Sequence, residues 1–152
     1  GGYKEHYYSI KSILKPYTKF IKYMGSSGSG QLTKMVNQIC IAGLIQALAE
    51  AINFSKKVGL ETQDVFEVVS KGAAQSWQMD NRWKTMTQNI YDYGFAVDLM
   101  RKDLNIVLNE AKKSDINLDV TKIINEYYKD IQEFGGGRLD TSSLLKRLEE
   151  LS

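Results

Sequence analysis

Residues 25–57, GSSGSGQLTKMVNQICIAGLIQALAEAINFSKK, decide the fold because they join a glycine-rich turn directly to the longest apolar stretch of the chain. Apolar side chains recur at helical spacing through residues 31–57, and Gly59 follows as a C-cap. Polar side chains interrupt the most apolar part, residues 39–54, so we expect it to be too short and too polar to span a bilayer. The stretch therefore predicts a long helix, buried on most sides, in which Glu50 needs a structural hydrogen-bond partner.

Helix signals continue to the end of the chain, and strand-like alternation does not occur after residue 24. Thr62 is placed to cap a helix that stops at Gly72. We expect residues 73–95 to be irregular, with short helical pieces around Trp77 and Met86 and with Trp77 as a packing anchor. The later predicted helices lie at residues 96–113, 119–133 and 144–151. The sequence thus predicts a mainly α fold.

The opening of the chain has a different pattern. Residues 3–15 have the spacing of an amphipathic helix, and Pro16 ends it. Residues 20–24, FIKYM, have the composition of a strand, but no other segment offers a partner for it. Since a lone strand leaves its backbone groups unpaired, residues 1–24 are predicted to belong to a larger α/β domain, and residues 25–152 to an all-helical domain.

Composition excludes several classes of function. The formal net charge of +2 is too small to favour nucleic acid or an anionic membrane as a partner. With one histidine, His6, the chain has little material for a Ser-His-Asp triad or a multi-histidine zinc site, and we predict no metal site. Its one cysteine, Cys40, lies in an apolar run and is expected to be buried in a reducing compartment.

Lys34 is the first candidate for chemistry, since we expect it in the first turn of the long helix, directly after the glycine turn. Asn37 and Gln38 follow three and four residues later, which places all three on one helix face. A helix N-terminus carries roughly half a positive charge, and together with partial burial it would lower the lysine pKa towards neutrality. The alternative from position alone is a surface lysine on a solvated stripe.

The whole pattern Gly25-x-x-Gly28-x-Gly30-x-x-x-Lys34-x-x-Asn37-Gln38 resembles the catalytic signature of the β-hydroxyacid dehydrogenase family. This family includes 3-hydroxyisobutyrate dehydrogenase, tartronate semialdehyde reductase and the glyoxylate/succinic semialdehyde reductases. Further segments with family-like sequence occur in the same order: Gly72-Ala73-Ala74-Gln75-Ser76-Trp77, Phe95 with Lys102-Asp103-Leu104, and Gly135-Gly136-Gly137 with Asp140 and Ser143. The resemblance covers essentially the whole chain.

The resemblance implies a C-terminal helical domain similar to that of 6-phosphogluconate dehydrogenase. Residues 1–24 would then be the last part of a Rossmann domain that binds NAD or NADP, and the rest of that domain would precede residue 1. Because the chain has no Gly-x-Gly-x-x-Gly fingerprint after a strand, we expect this segment alone to be inactive. The resemblance also implies a homo-oligomer, a dimer or tetramer, in the cytoplasm, or in the mitochondrial matrix or plastid of a eukaryote.

Residue roles follow from the resemblance position by position. Lys34 would be the general acid for aldehyde reduction and the general base for alcohol oxidation. Asn37 and Gln38 would contact the small hydroxyacid or semialdehyde substrate, while Gly28 and Gly30 would let the backbone approach it.

The cofactor would meet a second set of residues. Lys102 would reach it near the nicotinamide, with Phe95 and Asp103 close by. One departure concerns the substrate, since Gln38 stands where many family members have asparagine and in this respect is similar to the tartronate semialdehyde reductases. An alternative function is a non-catalytic helical dimerisation or interaction module derived from this family, but the presence of Lys34 favours the enzyme.

Overall fold

The protein is described from a computed structural model that covers residues 1–150. Within these residues the structure is helical, with one isolated antiparallel bridge between Ala96 and Asp140. The helices are α1 (Lys4–Leu14), α2 (Ser29–Lys57), α3 (Thr62–Val69), α4 (Trp77–Thr87), α5 (Val97–Lys113), α6 (Asp119–Glu133) and α7 (Leu144–Glu150), with short 3₁₀ turns at Lys15–Tyr17 and Thr141–Ser143. The mainly α fold class is confirmed.

The chain divides into two compact units, the first comprising Gly1–Asn37 and the second starting at Gln38. In the first unit the ring of Tyr7 on α1 lies 5.6 Å from that of Tyr23, and the Tyr23 hydroxyl donates to the Gly2 carbonyl at 2.9 Å. The Gly2 amide donates to the Gly25 carbonyl at 2.9 Å. These bonds attach the glycine turn to the chain start within the first unit. Assignment of residues 1–24 to a Rossmann domain stays a prediction.

The predicted strand over residues 20–24 does not form. These residues have no regular secondary structure between the 3₁₀ turn and the glycine turn, and among residues 1–150 no strand pairs with them. A strand exists only through the hydrogen bonds of a neighbour, and composition alone cannot supply that neighbour.

The core of the second unit forms around one face of α2. Ala42, Ile45, Ala49 and Ile52 follow one another at intervals of three and four residues and are all fully buried. They belong to a cluster to which α4, α5, α6 and α7 contribute Met79, Trp83, Met86, Val97, Met100, Leu104, Ile124, Tyr128, Ile131, Leu144 and Leu145. By length and composition α2 could cross a membrane, alone among the helices of residues 1–150, contrary to our expectation. Because one face of α2 is buried in this cluster, we interpret α2 as a core helix of the second unit.

Residues 77–87 form one continuous helix, α4, where we predicted irregular structure. The Ser76 hydroxyl caps it by accepting a hydrogen bond from the Met79 amide at 3.1 Å. Met79, Trp83 and Met86, at i, i+4 and i+7, are its buried apolar side chains. The prediction that Trp77 is a packing anchor is wrong, because its side chain is 62% exposed, whereas that of Trp83 is 2% exposed.

Of the two predictions made for individual side chains of α2, the one for Glu50 is confirmed and the one for Cys40 is wrong. Glu50 accepts a hydrogen bond from Gln46 Nε2 at 2.7 Å, so the structural partner predicted for it is confirmed. Cys40 is exposed, not buried. It lies two residues before Ala42, on a different side of the helix from the core-facing positions.

The C-terminus of α6 ends in a Schellman motif. The Gly136 amide donates to the Ile131 carbonyl at 2.8 Å, and the Gly135 amide donates to the Gln132 carbonyl at 2.9 Å. Gly135 has a φ of +80°, which a residue with a Cβ rarely adopts. The turn directs the chain back towards the 3₁₀ turn and α7.

We therefore predict that Gly135→Ala lowers the free energy of unfolding by about 1 kcal/mol, since the left-handed conformation becomes costly although space is available. Gly43→Ala, in the interior of α2 where an added Cβ also meets nothing, should have the opposite sign and stabilise by about 0.5–1 kcal/mol. Urea unfolding measures both. Shifts of the same sign would contradict this account of the turn.

Candidate active site

The glycine turn leads directly into α2. Gly25 and Gly28 have φ values of +120° and +92°, so both positions favour glycine. The Leu32 amide donates to the Gly28 carbonyl at 3.0 Å as one of the first bonds of the helix. A Cβ on Gly30 would lie 3.4 Å from the Gly1 nitrogen, whereas one on Gly28 would meet nothing. The backbone is therefore open at Gly28 and closely packed at Gly30.

Lys34 lies in the second turn of α2 and not, as predicted, in the first. Because α2 begins at Ser29, Lys34 is its sixth residue and belongs to the second turn. Its side chain and that of Asn37 are exposed, so the partial burial we expected for Lys34 is not found. The prediction that α2 is buried on most sides is also wrong, because only one face of the helix is buried. The exposed amine of Lys34 near the start of this helix is accessible to a ligand.

Gln38 is buried, at 2% exposure, and it connects α2 to α5. Its Nε2 donates to Asp103 Oδ2 at 2.8 Å and lies 3.7 Å from Met100 Sδ. The other carboxylate oxygen, Asp103 Oδ1, pairs with Lys102 Nζ at 3.0 Å. The Lys102 side chain remains 61% exposed. The structure thus brings Gln38, Asp103 and Lys102 together in one polar chain.

Phe95 is held separately, by the loop between α4 and α5. Its amide donates to Asp140 Oδ2 at 2.9 Å, and its carbonyl accepts from the Thr141 amide at 2.9 Å. Asp140 is fully buried and paired with Arg82, whose Nε lies 3.0 Å from Asp140 Oδ1. The ring of Phe95 is half-buried.

Tyr128 lies in the same buried region. Its hydroxyl donates to the Thr141 carbonyl at 3.2 Å. Burial, reinforced by the negative charge of Asp140, raises the pKa of Tyr128 far above its ordinary range. The phenol therefore stays protonated at all physiological pH values and is not a proton-transfer group.

The predicted site residues fall in both compact units. Gly28, Gly30, Lys34 and Asn37 belong to the first unit, whereas Gln38, Phe95, Lys102 and Asp103 belong to the second. Sequence reasoning missed Arg82, because its segment MDNRWK has no recognisable motif. It noted Asp140 only as part of a family-like turn. The Asp-x-Ser spacing was the available signal, since Asp140 Oδ1 accepts from the Ser142 amide at 3.0 Å.

Residues 28–148 match a protein-family model described as the NAD-binding domain of NADP-dependent 3-hydroxyisobutyrate dehydrogenase. This match covers well over half of the chain. It confirms the predicted cofactor class, NAD or NADP, because the family is defined by binding that cofactor.

Named relatives agree with the family model. An uncharacterised oxidoreductase of Shewanella frigidimarina (strain NCIMB 400) is 52% identical over 150 residues, covering 99% of this chain and 52% of the relative. The 2-hydroxy-3-oxopropionate reductase of Escherichia coli (strain K12) is 32% identical over 149 residues, covering 98% of this chain and 51% of the relative.

A solved structure shows the same fold. The 3-hydroxyisobutyrate dehydrogenase of Salmonella typhimurium superimposes with a TM-score of 0.86 at 26% identity, over 95% of this chain and 51% of that protein. The chain thus spans about half the length of the relatives it matches. On the family model and these likenesses together, the chain belongs to the 3-hydroxyisobutyrate dehydrogenase family of NAD(P)-dependent hydroxyacid dehydrogenases.

Proposed function

We propose that this chain is the C-terminal part of an NAD(P)-dependent oxidoreductase that interconverts a small hydroxyacid and its semialdehyde or ketoacid. Family membership supports the reaction class. The observation that carries the proposal is the placement of Lys34, an exposed amine in the second turn of α2, in a helix that begins at a glycine turn whose backbone is open at Gly28. An accessible lysine at that point can meet a substrate carbonyl and exchange a proton with it.

Substrate binding is assigned to the residues around Lys34. Asn37 carries an exposed amide, which can hydrogen-bond a substrate oxygen without neutralising the lysine as a carboxylate would. The same role is assigned to Gln38, whose amide is buried and also donates to Asp103. Gly28 and Gly30 present no side chain, and a small carboxylate would approach the backbone at Gly28, since Gly30 is packed against Gly1. These features favour a compact, anionic substrate such as 2-hydroxy-3-oxopropionate, the compound named for the Escherichia coli relative.

The cofactor-facing residues fit NAD(P) by their chemistry. Lys102 offers an exposed cation, and Asp103 pairs with it. Phe95 offers a half-buried aromatic ring. A cation and a ring suit a ligand that combines phosphates with planar heterocycles. Because no dinucleotide fingerprint occurs in this sequence, we assign most of the cofactor-binding surface to an N-terminal half, and we expect the segment alone to be inactive.

The proton chemistry is assigned to Lys34. When bound, the reduced nicotinamide supplies the hydride to the carbonyl carbon. The Lys34 ammonium donates its proton to the carbonyl oxygen, and its positive charge stabilises the alkoxide that develops there. In the oxidative direction neutral Lys34 removes the hydroxyl proton.

A homo-oligomer is supported by the exposed side of α2 in the second unit. Six apolar or weakly polar residues recur there and at the residue that follows the helix, at alternating intervals of four and three: Cys40, Leu44, Ala47, Ala51, Phe54 and Val58. We name them the α2 stripe. Leu44, Phe54 and Val58 are 45%, 65% and 52% exposed. The alternating interval is that of a helix–helix seam, and its mixture of small and large side chains suits a symmetric pair, so we propose a second copy of the chain as its partner.

Lys34→Ala should lower kcat by about 10²–10⁴-fold, because it removes the proton donor and the charge on the developing alkoxide. NAD(P)H oxidation by the full-length protein measures this with methylmalonate semialdehyde, tartronate semialdehyde, succinic semialdehyde and glyoxylate. Lys57→Ala is the matched control, since Lys57 is an exposed lysine in the last turn of the same helix. Unchanged turnover in Lys34→Ala, or none by the wild type, would favour the non-catalytic module.

Gln38→Leu should both destabilise the fold and impair the reaction. The variant keeps the size of the side chain but removes the donor to Asp103, which we expect to cost about 1–3 kcal/mol of unfolding free energy. Loss of the substrate contact should also raise KM for the semialdehyde. A double-mutant cycle with Asp103→Leu, which removes the acceptor, isolates the bond, and additive unfolding free energies would show that the pair does not interact.

Leu44→Glu and Phe54→Glu should each dissociate the oligomer, because a carboxylate buried in an apolar seam is costly. Light scattering of the full-length protein at micromolar concentration gives the mass directly. Val120→Glu is the control, as Val120 is 65% exposed on α6 and lies outside the α2 stripe. An unchanged mass in both stripe variants would remove α2 from the interface.

A further inference from the structure

The buried ion pair between Arg82 and Asp140 takes no part in the proton transfer proposed above. Asp140 is fully buried, and Arg82 is 8% exposed. The guanidinium binds both carboxylate oxygens, with Nε 3.0 Å from Oδ1 and Nη2 3.1 Å from Oδ2. The Ser142 amide and hydroxyl donate to Oδ1 as well, at 3.0 Å and 2.6 Å. The carboxylate is therefore fixed in position and orientation.

The remaining donor to this carboxylate is the Phe95 amide, 2.9 Å from Oδ2. The backbone around Asp140 binds the same loop at two further points. The Asp140 amide donates to the Tyr91 carbonyl at 2.9 Å, and the Thr141 amide donates to the Phe95 carbonyl at 2.9 Å. Both peptide groups of Phe95 are thus fixed by the segment that begins at Asp140.

Gly94 shows how closely this loop fits against the carboxylate. Its φ is +74°, and a Cβ built on it would overlap Asp140 Oδ2 at 2.1 Å. The loop could not approach the carboxylate with any other residue at this position. The glycine immediately before Phe95 therefore allows the Phe95 amide to come within hydrogen-bonding distance of Asp140.

Stability alone gives little reason for this arrangement. Desolvating two charges roughly cancels their attraction, and apolar residues of similar volume often stabilise a core as well or better. What a fully bonded ion pair provides is a fixed geometry, since charge-assisted bonds are short and directional. The ion pair fixes the backbone of Phe95 in this way, because the Phe95 amide is hydrogen-bonded to Asp140.

We propose that Arg82 and Asp140 are positioning residues for the reaction, which fix the Phe95 backbone and so place its ring against the cofactor. The proposal rests on the assignment of Phe95 to the cofactor under the proposed function. Arg82 and Asp140 do not touch the reacting atoms. Their effect passes through the Phe95 amide, so they influence cofactor affinity more than the chemical step.

The test uses the full-length protein and graded variants. Ser142→Ala removes one donor to Asp140 and leaves the ion pair in place. Asp140→Asn removes the charge with little change of size, and Gly94→Ala pushes the carboxylate away from the loop. Ile124→Ala is the control, because Ile124 is 2% exposed in the core on α6 and is not bonded to Phe95.

Two readouts are compared for each variant. Amide hydrogen exchange at Phe95 reports its hydrogen bond without any turnover, and fluorescence titration gives the dissociation constant of NADPH or NADH. We expect Asp140→Asn to accelerate exchange at Phe95 and to weaken cofactor binding by at least about tenfold, the factor expected for one charge-assisted hydrogen bond. Gly94→Ala should act in the same direction, and Ser142→Ala less strongly. At saturating cofactor, kcat should change by less than about threefold.

Several results would overturn the proposal. One is faster exchange at Phe95 with unchanged cofactor affinity, and another is an equal loss of affinity in Ile124→Ala. Should Asp140→Asn fail to fold, Ser142→Ala and Gly94→Ala decide the question, since neither removes a charge. A wild-type protein that binds no NAD(P) would contradict the proposed function itself, whereas normal wild-type binding with unaffected variants would contradict only the positioning role.

Discussion

Burial of one face of α2 is the constraint on which the rest of the second unit depends. Ala42, Ile45, Ala49 and Ile52 have no accessible surface, and the small residues among them let neighbouring helices approach closely. Each large apolar side chain buried in this way contributes about 1.5–3 kcal/mol. Because the core-facing positions of α2 are fixed by this burial, the direction of Gln38 towards Asp103 is fixed with them.

The spacing of apolar residues predicts the helices correctly wherever such residues dominate a segment. The long helix, α3, α5 and α6 could be predicted because their spacing of three and four directly reflects burial on one side. The predicted start of α2 is two residues late, since the serine and glycine residues of the turn are poor helix formers and their composition is typical of a loop. This small difference moves Lys34 from the first helical turn to the second, where the influence of the helix dipole is weaker.

Other features depend on partners that are distant in sequence, which is why local patterns did not reveal them. Arg82 and Asp140 are 58 residues apart, and neither segment shows that a buried ion pair forms. Trp77 and Trp83 differ only in their position on α4, so without the helix boundaries the exposed and the buried tryptophan could not be distinguished. The strand predicted at residues 20–24 failed for the same reason, because a strand needs a neighbour that its own sequence does not specify.

The charged residues separate into two physical classes, and this separation supports the division of roles argued above. Lys34 and Lys102 are exposed, as a group must be if it exchanges protons or meets a ligand that arrives from solvent. Arg82 and Asp140 are buried and bonded to each other, so they hold the geometry of the backbone around them and are not accessible to a ligand. We therefore assign proton transfer and ligand binding to the exposed charges, and the positioning of the backbone to the buried ones. Phe95 is half-buried, so its ring can be held by the buried ion pair and still contact a ligand.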